Sequence, residues 1–110
     1  MTEAQNSAQQ IVALYETILA RKTADPTYSY SAQLLADLPR ATRKLGEEAS
    51  ETMVAALSGT DEALAGEAGD LLYHLLVVLV ACGVTLEAVM EVLAARAGKS
   101  GLAEKAARDA

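Results

Sequence analysis

The sequence predicts an all-α fold, an antiparallel bundle of four to five helices, and three observations carry that prediction. Alanine, leucine, glutamate, lysine and arginine, all strong helix formers, dominate the chain. Only two prolines interrupt 110 residues. No run of β-branched residues alternates with polar ones between turn signals, as a strand would require. At this length, and with 52% apolar residues, residues 1–110 make one domain able to bury its own core.

The first helix is expected from about Ala4 to Arg21, with Ile11, Leu14, Tyr15, Ile18 and Leu19 on one stripe. Asp25-Pro26 breaks it, because proline disfavours the helical region for the residue before it. The loop DPTYSYS follows, with hydroxyls at Tyr28, Ser29, Tyr30 and Ser31. A second helix is expected to begin between Ala32 and Arg40, to be interrupted or kinked at Pro39, and to run to Leu57. Its apolar stripe reads Leu45, Ala49, Thr52, Met53 and Ala56, with Glu48 beside it and Glu47 off to the side. Gly59 suits the left-handed position after a helix, and Thr60 can cap the next one. The third helix spans about Asp61 to Ala81, its acidic start matching the positive end of the helix dipole. Gly83 stops it, Thr85 caps a fourth helix, and Gly98 ends that one. The tail LAEKAARDA reads either as a last short helix or as a frayed end.

The stretch LLYHLLVVLVACGV (71–84) is the most apolar of the chain, yet it is shorter than the roughly 20 residues a bilayer requires. It reads as a helix buried on nearly every side, which needs more partners than a small monomer supplies. A homodimer is therefore expected to complete the bundle, with no membrane involved. A net charge of −6 argues against nucleic acid as a partner, since that affinity rests on clustered lysine and arginine. The single cysteine, Cys82, allows no internal disulfide and no thiolate metal cluster. With no apolar stretch behind a basic start, the N-terminus does not read as a secretory signal, and a cytoplasmic location is expected. Cys82 and the methionines read as core packing.

The acids carry the chemistry. Glu48 and Glu51 lie three residues apart in the second helix, and Glu67 and Asp70 three apart in the third, so each pair projects from one face. Glu51 and Glu67 are each eight residues from Gly59, while Glu48 and Asp70 are each eleven away. In an antiparallel hairpin, equal offsets bring both pairs to the same height, roughly 12 to 16 Å from the turn. Such a cluster repels itself unless protonated or occupied by cations. Oxygen donors without thiolates point to Mg²⁺ or Mn²⁺ in preference to zinc, and Mg²⁺ favours phosphate oxygens. The implied chemistry is metal-assisted hydrolysis of a nucleotide phosphoanhydride. Against this, a Glu-x-x-Glu motif on a helix is usually a solvated face, and only the mirror placement raises it above that.

His74 shares the face of Glu67 and Asp70. It reads as a core histidine bonded to Asp70 or a backbone carbonyl in preference to a direct metal ligand, and holding a metal ligand from behind would satisfy both readings. Lys44, one turn before Glu48, is either an ordinary helix ion pair or a contact to substrate phosphate. Gly66 and Gly69 cost stability inside a helix and are expected to permit a close approach.

KLGEEASE followed by EAGDLLYHLLVVL resembles the paired Glu-x-x-Glu and Glu-x-x-Asp signature of the all-α nucleotide pyrophosphohydrolases, which include MazG-like and dimeric dUTPase-like enzymes. LYETILARK, PTYSYSAQLL, KLGEEASE, DLLYHLLVVL and KSGLAEKAAR resemble, in order and spacing, the phosphoribosyl-ATP pyrophosphohydrolase family of histidine biosynthesis. That resemblance implies Mg²⁺-dependent hydrolysis of phosphoribosyl-ATP to phosphoribosyl-AMP and pyrophosphate, the second step of the pathway. It implies metal ligation by Glu48, Glu51, Glu67 and Asp70, with Glu47 at an extra acidic position common in the family. A catalytic role for Glu47 or Glu51 in taking the proton of the attacking water is consistent with it. Arg40, Arg43, Lys44, Lys99, Lys105 and Arg108 become candidates for the substrate phosphates, and Ser29 and Tyr30 for its hydroxyls. No cyclohydrolase precedes this sequence, so the next pathway step is expected on a separate chain.

Three other readings share some of these features. A house-cleaning pyrophosphatase of noncanonical nucleoside triphosphates would use the same acids. A di-iron carboxylate protein would need Glu-x-x-His pairs, which neither motif supplies. A helical dimerisation module would account for the apolar third helix but not for the mirrored acids.

Overall fold

The computed structural model describes residues 3–98 and 101–109. Lys99, one of the expected phosphate contacts, lies outside the described residues. Six α-helices and no strand occur among them: α1 (Glu3–Ala20), α2 (Tyr30–Leu35), α3 (Leu38–Ser58), α4 (Asp61–Cys82), α5 (Leu86–Arg96) and α6 (Gly101–Asp109), with a single 3₁₀ turn at Arg21–Thr23 after α1. The all-α expectation holds, and the tail forms a helix.

Short polar side chains set the boundaries. Asp25 nucleates the turn after α1, its carboxylate accepting from Thr27 N at 2.9 Å and its carbonyl from Tyr28 N at 3.0 Å. Ser29 Oγ accepts from Ala32 N at 3.1 Å and so caps α2; Tyr30 and Ser31 therefore belong to a helix and not to the loop. The expected second helix is two helices. Asp37 caps α3 by accepting from Arg40 N at 3.1 Å, and Pro39 falls in the first turn, where its missing N–H costs nothing and no kink results. Thr60 caps α4 and Thr85 caps α5, each accepting at 3.1 Å from the amide three residues on.

Two glycines differ in their reason for being there. Gly83 adopts the left-handed conformation, φ 73°, and the chain reverses through Gly83 N to Val80 O at 3.1 Å and Val84 N to Leu79 O at 2.9 Å. Gly59 does not: its φ of −98° and ψ of −172° are extended. Glycine is needed there because a Cβ would lie 2.8 Å from the carbonyl oxygen of Ala55.

The core is built from Ile18 of α1, Leu34 of α2 and Leu76, Val77 and Val80 of α4, with Tyr15, Ala41 and Leu86 closing around them. Tyr15 donates its hydroxyl to Val84 O at 2.9 Å, tying α1 to the α4–α5 turn. In α1 the expected stripe holds for Tyr15 and Ile18, which are buried, and for Ile11 and Leu14, which pack partly buried against the core, while Leu19 is at the surface.

The inward face of α3 differs from the expected stripe. Ala41, Glu48 and Ala55 are its buried residues, spaced by seven, with Leu45 and Thr52 half-buried beside them. Met53 is 65% exposed and Ala56 is at the surface. Small alanines allow close packing on α4, and the face they form turns Glu48 inward. Cys82 and Met90 are exposed as well, so core packing does not account for them.

The 22-residue α4 extends beyond the apolar stretch 71–84 at its N-terminal end, and its length and composition would allow it to cross a bilayer. Its C-terminal half instead supplies the core, while Leu72 and Leu75 remain exposed. A single chain thus does not cover α4 on every side.

Candidate metal centre

The α3–α4 hairpin is the most extensive helix pairing in the fold. It brings Glu48 from α3 against Glu67 and Asp70 from α4, with one carboxylate oxygen of each within 4.8 Å of the others. Burial is graded: Glu48 is 8% exposed, Glu67 half-buried and Asp70 at the surface. One oxygen of Glu48 and one of Glu67 are buried without any hydrogen-bond partner. Buried carboxylate oxygens are almost always satisfied, so these two lack something positive or protonated.

Glu51 is exposed beside this trio and engages Glu67. Hydrogen bonding to Glu51 is the main reason the Glu67 carboxyl sits above its ordinary range; burial and the charges of Glu51 and Glu48 push the same way. Glu51 and Glu67 also wall an open cavity of about 340 Å³ that runs toward the turn past Val54, Ala55 and Ala63.

His74 is buried behind Asp70, its Nδ1 lying 2.8 Å from the Asp70 carbonyl oxygen. A carbonyl only accepts, so Nδ1 is the donor of this bond, while Nε2 is buried without a hydrogen-bond partner. The ring meets Tyr73 edge-on at 4.9 Å and Tyr30 at 6.5 Å. Of the expected partners for His74, the backbone carbonyl is the one found.

Cationic groups gather on the side of the acids away from the hairpin turn. Lys44 donates to Glu47 at 3.0 Å; that bond and the Glu47 charge hold the ammonium above its ordinary pKa, with smaller support from Tyr30 and Glu48. Glu47 is therefore engaged outward with Lys44, outside the three-acid group. The Arg40 guanidinium lies over the Tyr30 ring, 5.6 Å from its centre. Ser29 is occupied as the α2 cap, and Arg43 is exposed on α3. Lys105 and Arg108 are exposed on α6.

Two participants had no signal in the sequence. Tyr73 shares a hydrogen bond with the Ser31 hydroxyl and so locks α2 onto α4 behind His74. Gln33 binds Arg40 across the α2–α3 junction. Neither belongs to a spacing pattern, because each meets its partner only after the chain has folded back.

An all-α hairpin presenting Glu-x-x-Glu against Glu-x-x-Asp, with unpartnered oxygens turned into its seam, has the make-up of the all-α nucleotide pyrophosphohydrolase class. Residues 11–97 match the family model described as phosphoribosyl-ATP pyrophosphohydrolase, and the chain belongs to that family. It is 58% identical over 95 residues to a phosphoribosyl-ATP pyrophosphatase of Caulobacter sp. (strain K31), covering 86% of this chain and 89% of the relative. It is 53% identical over 104 residues to the protein of the same name from Erythrobacter litoralis (strain HTCC2594), covering 94% and 97%. A third relative of that name, from Roseobacter denitrificans (strain ATCC 33942 / OCh 114), is 53% identical over 97 residues, covering 87% and 92%.

Proposed function

We propose that this chain hydrolyses the α,β-phosphoanhydride of phosphoribosyl-ATP, giving phosphoribosyl-AMP and pyrophosphate in histidine biosynthesis, with Mg²⁺ as its cofactor. Family membership supports the reaction. The single observation that supports the metal is the pair of buried, unpartnered oxygens on Glu48 and Glu67 beside Asp70. All the donors are hard oxygens, which suits Mg²⁺, with Mn²⁺ as a substitute. Glu48, Glu67 and Asp70 would hold the ion, with Glu51 completing the set. When bound, the ion supplies neutralisation of phosphate charge and a lowered pKa for coordinated water.

The remaining steps fall to the chain's own residues. Glu51, exposed at the edge of the cluster, would hold a water and take its proton. His74, locked by the Asp70 carbonyl, stiffens the α4 turn that carries Asp70. Lys44, steadied by Glu47, and Arg40, resting on Tyr30, supply positive charge for the substrate phosphates. In this reading Glu47 acts through Lys44. A homodimer in the cytoplasm, covering Leu72 and Leu75 of α4 and requiring neither membrane nor nucleic acid, completes the proposal.

Pyrophosphate release from phosphoribosyl-ATP, followed with and without Mg²⁺, tests it. The native chain should turn over only with the cation, and Glu51→Gln and Asp70→Asn should each lose at least about a hundredfold in kcat. Native-like turnover in both variants would remove the metal assignment. Hydrolysis of deoxynucleoside triphosphates but not of phosphoribosyl-ATP would replace the substrate.

A further inference from the structure

Gln33 joins three segments of the chain. Its Nε2 donates to the Pro26 carbonyl in the α1–α2 connection at 2.8 Å, and its Oε1 accepts from Arg40 Nη1 on α3 at 3.5 Å. The two partners fix the amide's orientation, because a carbonyl can only accept and a guanidinium can only donate. Both Gln33 and Arg40 are half-buried, and the bond between them is partly shielded from water, whereas the bond to Pro26 is exposed.

Arg40 is thereby held in one place. Its guanidinium rests over Tyr30, and among the described residues no carboxylate pairs with it. One N–H is spent on Gln33, leaving the rest of the fork for another acceptor. Arg40, Lys44 and Glu48 follow one another at four-residue intervals, so they share a face of α3 and Arg40 lies on the side that carries the acids. An arginine fixed by a neutral amide keeps its full charge, whereas one fixed by a carboxylate would be neutralised. The arrangement suits an anion with several oxygens arriving beside the acidic cluster.

We propose that Gln33 is a positioning residue for substrate phosphate: it holds the Arg40 guanidinium across the Tyr30 ring so that its remaining N–H groups meet a phosphate oxygen of phosphoribosyl-ATP. This rests on the proposed activity, and it assigns to Gln33 a role exercised through Arg40. Its hydrogen bonds go to Pro26 and Arg40 and to none of the four acids, so cation binding does not depend on it. Without Gln33, the long arginine side chain would have to be ordered by substrate itself, and that entropy would appear as weaker binding.

The test is a double-mutant cycle read in steady-state kinetics with phosphoribosyl-ATP and saturating Mg²⁺. Gln33→Met should raise KM about three- to tenfold at unchanged kcat, as expected for one hydrogen bond. Arg40→Ala should raise KM at least as much, and the double variant should be no worse than Arg40→Ala alone. The Mg²⁺ concentration for half-maximal rate should not move in any of them. Gln33→Ala, which keeps a strong helix former in α2, gives the same comparison should the methionine variant fold poorly. An unchanged KM in either single variant would overturn the role. So would multiplicative effects in the double variant, which would mark Gln33 as a structural tie between segments. Absence of phosphoribosyl-ATP hydrolysis by the native chain would instead overturn the activity, and this role with it.

Discussion

Glu48 of α3 and Glu67 of α4 meet across the hairpin, each keeping one buried carboxylate oxygen without a hydrogen-bond partner. Two ionised groups placed so close oppose the fold unless a cation sits between them. Thermal unfolding should therefore respond to divalent cation. With Mg²⁺ at about 100 times its Kd, the native state gains about 2.7 kcal/mol, which for a chain of this size raises Tm by roughly 10 °C. Glu48→Gln removes one of the opposing charges. Its cation-free Tm should equal or exceed that of the native chain, and its Mg²⁺-induced rise should fall by more than half. An undiminished rise in the variant would place the cation elsewhere.

The same crowding predicts a pH dependence for the cation-free protein. Hydrogen bonding to Glu51, then burial, then the charges of Glu51 and Glu48 raise the Glu67 carboxyl above its ordinary 4.5. Between that value and the raised one, the folded chain binds more protons than the unfolded chain. Stability from this group is fully present below 4.5, falls as pH rises through the raised pKa, and stays lost above it. Urea midpoints in a chelator, compared for the native chain and Glu51→Gln, isolate the effect from other carboxylates. A glutamine amide donates to ionised Glu67, so the fall with pH should be shallower in the variant. Equal slopes in the two proteins would contradict the coupling.

The grouping of Glu48, Glu67 and Asp70 was legible in the sequence because it depends only on helix period and on one short turn. Offsets of eight and eleven residues from Gly59 set the heights of both pairs. The hairpin places three of the four acids in one cluster and the fourth, Glu51, beside it. What failed was the assumption that the inward face of α3 is its most apolar face. Ala41, Glu48 and Ala55 are buried while Met53 and Val54 face outward, because close helix approach selects small residues and Glu48 turns into the acidic cluster with Glu67 and Asp70. The break between α2 and α3 was hidden for a different reason. Pro39 read as an interruption or a kink within one helix and Asp37 carried no reading, yet an aspartate followed two residues later by proline is also a helix start, and the tertiary turn decides between them. Gln33 and Tyr73 could not be read at all, since their partners come from other segments.

Two glycines, one inside α3 and one just past its end in the hairpin turn, should respond oppositely to alanine. Gly46 lies inside the helix, and a Cβ there would meet nothing within 4 Å. Gly46→Ala removes the entropic cost of glycine and should stabilise the chain by about 1 kcal/mol. Gly59 has an extended backbone open to any residue, so alanine there meets no torsional penalty. The obstacle is steric: a Cβ would stand 2.8 Å from the Ala55 carbonyl oxygen and 3.1 Å from its Cα. Both are backbone atoms of α3 and cannot swing aside as a side-chain tip would. Gly59→Ala should cost about 1–3 kcal/mol in urea unfolding. Because relief requires the last turn of α3 to shift, the register of Glu51 against Glu67 should loosen as well, and Mg²⁺ should stabilise Gly59→Ala less than it stabilises the native chain. A loss of stability with an unaltered Mg²⁺ response would show that the turn sets the hairpin's strength but not the alignment of its acids.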